Sequence, residues 1–160
     1  MKRLALLTCA WLLSACAAHT PLPDASPTLV QPLPVALQVS TADEQHWLLV
    51  IQAEGHALRW SLFDPLGMPL ARQTLADGAW HNDGLLPPNG AARELFAALL
   101  FALTPRAELA RHYAQADWQE HSPDSRQLAP NWRIRYEAPL SIHLDNGQQH
   151  YRTSPLETHP

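Results

Sequence analysis

Cysteine is nearly absent from this chain, which has two in 160 residues, Cys9 and Cys16. Cys9 lies in an N-terminal apolar run, and once that run is removed on export only Cys16 remains, so no disulfide can form within the mature chain. Basic charge is also short. Lys+Arg 11 against Asp+Glu 15 gives a net −4, and losing Lys2 and Arg3 with the leader leaves 9 against 15, a net −6. That balance excludes a general nucleic-acid binder, which has to neutralise phosphates. Glycine is scarce beside proline, 6 to 15, while 46% of residues are hydrophobic and 16% charged. The chain is therefore globular with irregular tracts, not wholly disordered. Its length excludes two large domains and leaves room for one domain with a short appendage. No apolar run is long enough to span a bilayer. The G-x-S-x-G, H-E-x-x-H, C-x-x-C, P-loop and G-x-G-x-x-G patterns are all missing, and no nucleophile–base pair stands out. The sequence thus points away from an enzyme and implies no cofactor.

The N-terminus does carry a signal. Lys2 and Arg3 precede an apolar run over residues 4–13 and then small residues, the order of a secretory leader. It ends in Leu13-Ser14-Ala15-Cys16, which resembles the bacterial lipoprotein signal. That resemblance implies cleavage after residue 15 and acylation of Cys16, with covalent diacylglyceryl and acyl (palmitate-type) chains as the membrane anchor. The competing reading is an ordinary secreted leader with an incidental cysteine. Several acyl chains at about 0.8 kcal/mol per buried methylene make such an anchor effectively permanent. Ala17 beside the cysteine, in place of Asp, suggests sorting to the outer membrane, on its periplasmic face. Pro21, Pro23, Pro27, Pro32 and Pro34 then disfavour helix and sheet, so residues 16–34 read as an extended tether. Such a tether could hold the folded part, residues 35–160, on the order of 50 Å off the bilayer.

Past the tether the hydrophobic period is mostly two. Residues 46–53, 56–63 and 68–75 read as strands, with Glu54-Gly55 a tight turn and Asp64-Pro65-Leu66-Gly67 a type I turn. Residues 132–136 alternate cleanly, and Asn146-Gly147 between residues 141–145 and 148–153 is a strong hairpin signal. Between these groups, residues 91–103 read as a helix capped by Asn89, too greasy to be exposed. Thr104-Pro105 opens a second helix to about Ala114, with Leu109 and Tyr113 on one face and Glu108 able to pair with His112. Strands, two helices, then strands predict an α+β fold: a curved antiparallel half-barrel sheet covered on its concave side by two short helices.

These residues resemble the outer-membrane lipoprotein receptor family LolB: the leader, the Leu62-Phe63-Asp64-Pro65-Leu66-Gly67 strand and turn, the helical pair, and the Asn131-Trp132-Arg133-Ile134-Arg135-Tyr136 strand. They also look like LolB-like lipoproteins often encoded with aryl-polyene pigment genes. The resemblance covers roughly residues 35–152 and implies a lipoprotein-transport role, with a greasy cavity for acyl chains. Its partners would be outer-membrane lipid, acylated cargo and a periplasmic LolA-like carrier. In LolB a leucine on a protruding Pro-Leu-Gly turn is important for delivery to the membrane, and the matching positions here are Pro65, Leu66 and Gly67. The Pro-rich segment departs from the structured lead-in of LolB, and the chain closes soon after the Asn146-Gly147 hairpin. The cargo could therefore be a lipoprotein, a lipid or a pigment ester. An acyl chain of roughly sixteen carbons carries on the order of 13 kcal/mol of transfer free energy, so a carrier must offer comparable burial. Trp47, Trp60, Trp80, Phe96, Leu99, Leu100 and Phe101 are the residues expected to line that cavity. The alternative is that they form an ordinary core, leaving an assembly lipoprotein that acts through protein contacts.

Arg133 and Arg135 share one strand face and suit a lipid phosphate or carboxylate, against the plainer reading of a solvated face. His143 and His150 would lie opposite each other across a two-residue Asn146-Gly147 turn. A metal site usually needs three or more protein ligands, and only Asp145 is near, so a polar pair is the simpler reading and no metal is expected. His81 with Asp83 fits turn chemistry. His112 and His121, with Asp117 and Glu120 between them, need not meet.

Overall fold

The computed structural model describes residues 19–156; the leader, Cys16 and residues 157–160 lie outside the described residues. The first half of the chain is a five-strand meander, β1 (Val35–Thr41), β2 (His46–Glu54), β3 (Ala57–Phe63), β4 (Pro69–Ala76) and β5 (Ala79–Asn82). Two helices follow, α1 (Gly90–Leu103) and α2 (Arg106–His112). A second meander completes the chain: β6 (Trp118–Ser122), β7 (Ser125–Leu128), β8 (Trp132–Ala138), β9 (Ser141–Asp145) and β10 (His150–Pro155). Antiparallel pairing of β1 with β10, Val39 opposite Thr153, joins the meanders into one open ten-stranded sheet with β5 and β6 at its edges. The class is α+β, as the order of elements predicts.

Alternation decides which face is buried. Leu37 and Val39 on β1, Leu49 and Ile51 on β2, Trp60 and Leu62 on β3, Ile134 on β8 and Leu144 on β9 are all buried with α1 in one core. The Asn89 side chain accepts from Ala92 N at 3.0 Å, capping α1 as its sequence predicts. Its amide also donates to Leu70 O at 3.3 Å, tying the start of α1 to the start of β4. At the other end, Tyr136 donates to Ala102 O at 2.9 Å and Arg126 to Thr104 O at 3.1 Å. The Glu108–His112 pair forms, at 3.3 Å.

Several expectations need correction. Residues 19–34 are not a free tether. Thr20, Pro23, Pro27 and Leu29 are buried, Asp24 N donates to His112 O, and Val30 N donates to Leu103 O. The segment is a strap across the helices. Proline brings no N–H that needs a partner, so an extended Pro-rich stretch can lie flat on a greasy helix and cover it with interleaved leucines. That cover is why a helix as apolar as α1 is stable at this position. Thr104 caps the end of α1, donating to Leu100 O at 2.7 Å, and does not cap α2. The Asn146-Gly147 hairpin exists but Asp145 pairs with His150. Its loop therefore has four residues, because the Asn146 side chain accepts from Gln148 N and Gln149 N and opens the turn. The β2–β3 turn is centred on Gly55 and His56, with Gly55 at φ +59°.

Candidate functional site

The turn between β3 and β4 is built from its own side chains. Gly67 N donates to Asp64 O at 3.0 Å, closing the type I turn, and Asp64 N donates back to Met68 O at 2.9 Å. The Asp64 carboxylate accepts from Leu66 N at 2.9 Å and from Met68 N at 2.8 Å. Gly67 sits at φ +80°, a conformation that a side chain would strain. The result is a pinned finger that carries Leu66 88% exposed and Met68 62% exposed. Neither has a core to enter, so the fold fixes two large apolar groups in water.

Beside the finger, where β1 and β2 meet the end of β3, runs a mainly apolar groove of about 550 Å³. Trp47, Leu48, Phe63, Pro65 and Leu156 line it together with the polar Gln38, His46 and Asp64. Register explains the row, since Leu48 lies opposite both Gln38 and Phe63. Of the seven residues expected to line an internal cavity, Trp47 alone borders this groove.

The other six belong to the core, which overturns the expectation of an open hollow around them. Trp60, Phe96, Leu99, Leu100 and Phe101 have no exposed surface, so no void large enough for water touches them. Trp80 is half-buried and packs on Trp60 and Phe96, with ring centroids 6.0 and 5.9 Å away, while Trp60 and Phe96 stand 5.4 Å apart. These rings fill the space between sheet and α1, offset and tilted as aromatic quadrupoles prefer. One polar atom in the cluster is left over: the buried Trp60 Nε1 has no hydrogen-bond partner.

Arg133 and Arg135 project to the exposed side of β8, as their alternation predicts. Arg133 is engaged by Asp145 at 2.9 Å. The Gly147 N–H, helped by Arg133 and His150, holds Asp145 below the usual carboxylate range against the opposing effect of its partial burial. His143 faces Arg152 in the ladder and reaches Glu137 at 2.9 Å, so it does not pair with His150. Among the described residues no group of three or more His, Cys, Asp or Glu could hold a metal. His112 bonds Glu108, and Glu120 bonds Arg106, so these groups form separate pairs. His81 and Asp83 also part company, Asp83 bridging Arg59 and Arg72 at 2.8 and 3.1 Å. The groove was hidden from sequence reading because Phe63, Leu48 and Leu156 meet only through cross-strand register; the exposed Leu66 was not, because turn chemistry is local.

With this geometry in hand, a match over residues 35–154 places the protein in a family described as proteins of unknown function, DUF3261. The chain belongs to the DUF3261 family. No curated protein matches it. The DUF3261 match begins at Val35, the first residue of β1, and stops at Ser154 in β10. It thus spans the two meanders and the helical pair and leaves the strap outside. Within the described part of this DUF3261 chain, no helix is long and apolar enough to cross a membrane.

Proposed function

We propose that this DUF3261 protein is a LolB-like lipoprotein, anchored through acylated Cys16 to the periplasmic face of the outer membrane, that helps deliver acylated cargo into the bilayer. The cargo class is a lipoprotein, a lipid or an aryl-polyene-type ester, and the donor a soluble LolA-like carrier. The observation that carries this reading is the finger, in which Asp64 and Gly67 spend four hydrogen bonds holding Leu66 and Met68 in water. Inserting a leucine into hydrocarbon contributes about 1.5–3 kcal/mol, enough for transient contact and too little for permanent binding. The adjoining groove offers a mainly apolar lining beside it. Because the core is filled, cargo enters it only if α1 and α2 lift and the acyl chain takes over their contacts. The unpartnered Trp60 Nε1 would then have an ester or amide carbonyl to bond.

The filled core also favours a second reading, an assembly lipoprotein that works through protein contacts. Native mass spectrometry separates the two. The protein purified from its own host is expected to carry acylated molecules bound non-covalently, and adding lipoprotein or pigment ester should load it further. Empty protein under both conditions would overturn carriage and leave the second reading.

A further inference from the structure

We infer that the Pro-rich strap is an orienting clamp, which holds the finger end of the sheet against the bilayer. The inference rests on acylation of Cys16, as read above, and goes beyond it in fixing which surface faces the lipid. The strap docks at a specific place. Thr20 N donates to the Glu94 carboxylate at 2.8 Å, the Thr20 hydroxyl bonds the same carboxylate, and Trp132 Nε1 donates to the Thr20 hydroxyl at 2.7 Å. His19 also contacts Glu94, at 3.1 Å. The chain is thus fixed to the protein as far forward as residue 19.

Only Ala17 and Ala18 separate His19 from Cys16. Three peptide steps span about 11 Å at full extension, so an acylated Cys16 keeps the docking point that close to the headgroups. Glu94 lies in the second turn of α1, about 8 Å along the axis from Asn89 at a rise of 1.5 Å per residue. Asn89 in turn is bonded to Leu70 O, and Leu70 follows Met68 by two residues. The anchor therefore leaves the protein at the end of the sheet that carries the finger. The Gly55–His56 turn closes the opposite end of β2 and β3 and points away. A chain hanging from a free tether would tumble. This one presents Leu66, Met68 and the mouth of the groove to the lipid. The partner of this surface is the bilayer, because the three peptide steps between Cys16 and His19 leave no room for another macromolecule between them.

The test uses the full acylated chain in vesicles of phosphatidylethanolamine and phosphatidylglycerol that carry spin-labelled acyl chains. After leader removal and acylation of Cys16 no free thiol remains, so a single introduced cysteine takes an environment-sensitive fluorophore. Met68→Cys should be quenched at least threefold more than His56→Cys. Inserting about thirty Gly/Ser residues between Ala18 and His19 lets the domain move away from the membrane. It should reduce quenching at position 68 at least threefold, with an unchanged circular dichroism spectrum and melting curve. Equal quenching at 68 and 56, or no response to the spacer, overturns the clamp. If a chain that begins at residue 16 with Cys16→Ser, and so lacks leader, Cys9 and acyl chains, is quenched at 68 as strongly as the acylated one, the finger finds lipid unaided; the clamp then fails and the delivery reading stands. If position 68 is never quenched although mass analysis shows acyl chains on Cys16, clamp and membrane contact both fail.

Discussion

Leu66 and Trp60 stand six positions apart, yet they mark opposite ends of the burial range, 88% exposed and 0% exposed. Their substitutions should behave accordingly. Leu66→Glu removes no folded-state contact and is expected to leave stability within about 0.5 kcal/mol while impairing cargo delivery to vesicles. Unchanged delivery would remove the finger from the mechanism. Trp60→Ala empties a site with no room to collapse and should cost about 3–5 kcal/mol in urea unfolding. The tyrosines add a pH signature. Burial pushes Tyr136 up to about 12, the nearby Arg126 partly opposing it, and burial raises Tyr113 and Tyr151 as well. A folded pKa above the unfolded value of 10 means that the folded state holds protons the unfolded chain has lost. The tyrosines' contribution to stability is therefore expected to be level below pH 10 and to fall as pH rises toward 12, with tyrosinate absorbance appearing together with unfolding. Tyrosinate forming near pH 10 in a folded chain would contradict it. At this scale the exposed Leu66 was legible, because Asp-Pro-x-Gly makes its own turn. The fate of Trp60 was not, because the same apolar residues line a hollow or fill it depending on how closely α1 approaches.

Among the elements, the strap departs furthest from its sequence reading. Proline density correctly excluded helix and sheet from residues 19–34, but an extended chain can be free or docked, and the difference lies in partners far along the sequence. Thr20 meets Glu94 and Trp132, 74 and 112 positions away. Thr20→Val keeps the shape and deletes the hydroxyl, stranding the Trp132 N–H. It should cost about 1–3 kcal/mol, read as a lower urea midpoint at an unchanged slope. No shift would mean that the strap adds nothing to the fold. The long elements, α1 with its Asn89 cap and strands β2, β3, β8 and β9, were readable from period and caps. The edge strands β5 and β6, and β7 beside β6, were not, since four or five residues such as Ala79–Asn82 give too few alternations to register. The Asn146-Gly147 loop was found, but its register slipped by two because the Asn146 side chain bonds the backbone of the loop.

At the scale of the whole molecule, the sheet and the lid are held by different means. The β1–β10 seam lies between paired strands on both sides, so opening it breaks backbone ladders in the middle of the sheet. The lid of α1 and α2 is joined to the sheet by apolar packing and a few side-chain bonds, at Asn89, Arg93, Arg126 and Tyr136. Lifting it leaves every strand ladder intact. Sub-global openings follow the weaker seams, so native-state hydrogen exchange is expected to show α1 and α2 opening at a lower free energy than β1 and β10. If the core takes acyl chains, an acylated ligand must bind the lifted form better than the closed one, since only such a difference shifts the population. A long-chain acyl amphiphile below its micelle concentration should then change exchange in α1 and α2 and leave β1 and β10 as they were. Lid and seam exchanging together, with or without the amphiphile, would mean that the molecule opens only by unfolding, and the filled core would then be a scaffold and not the closed state of a carrier.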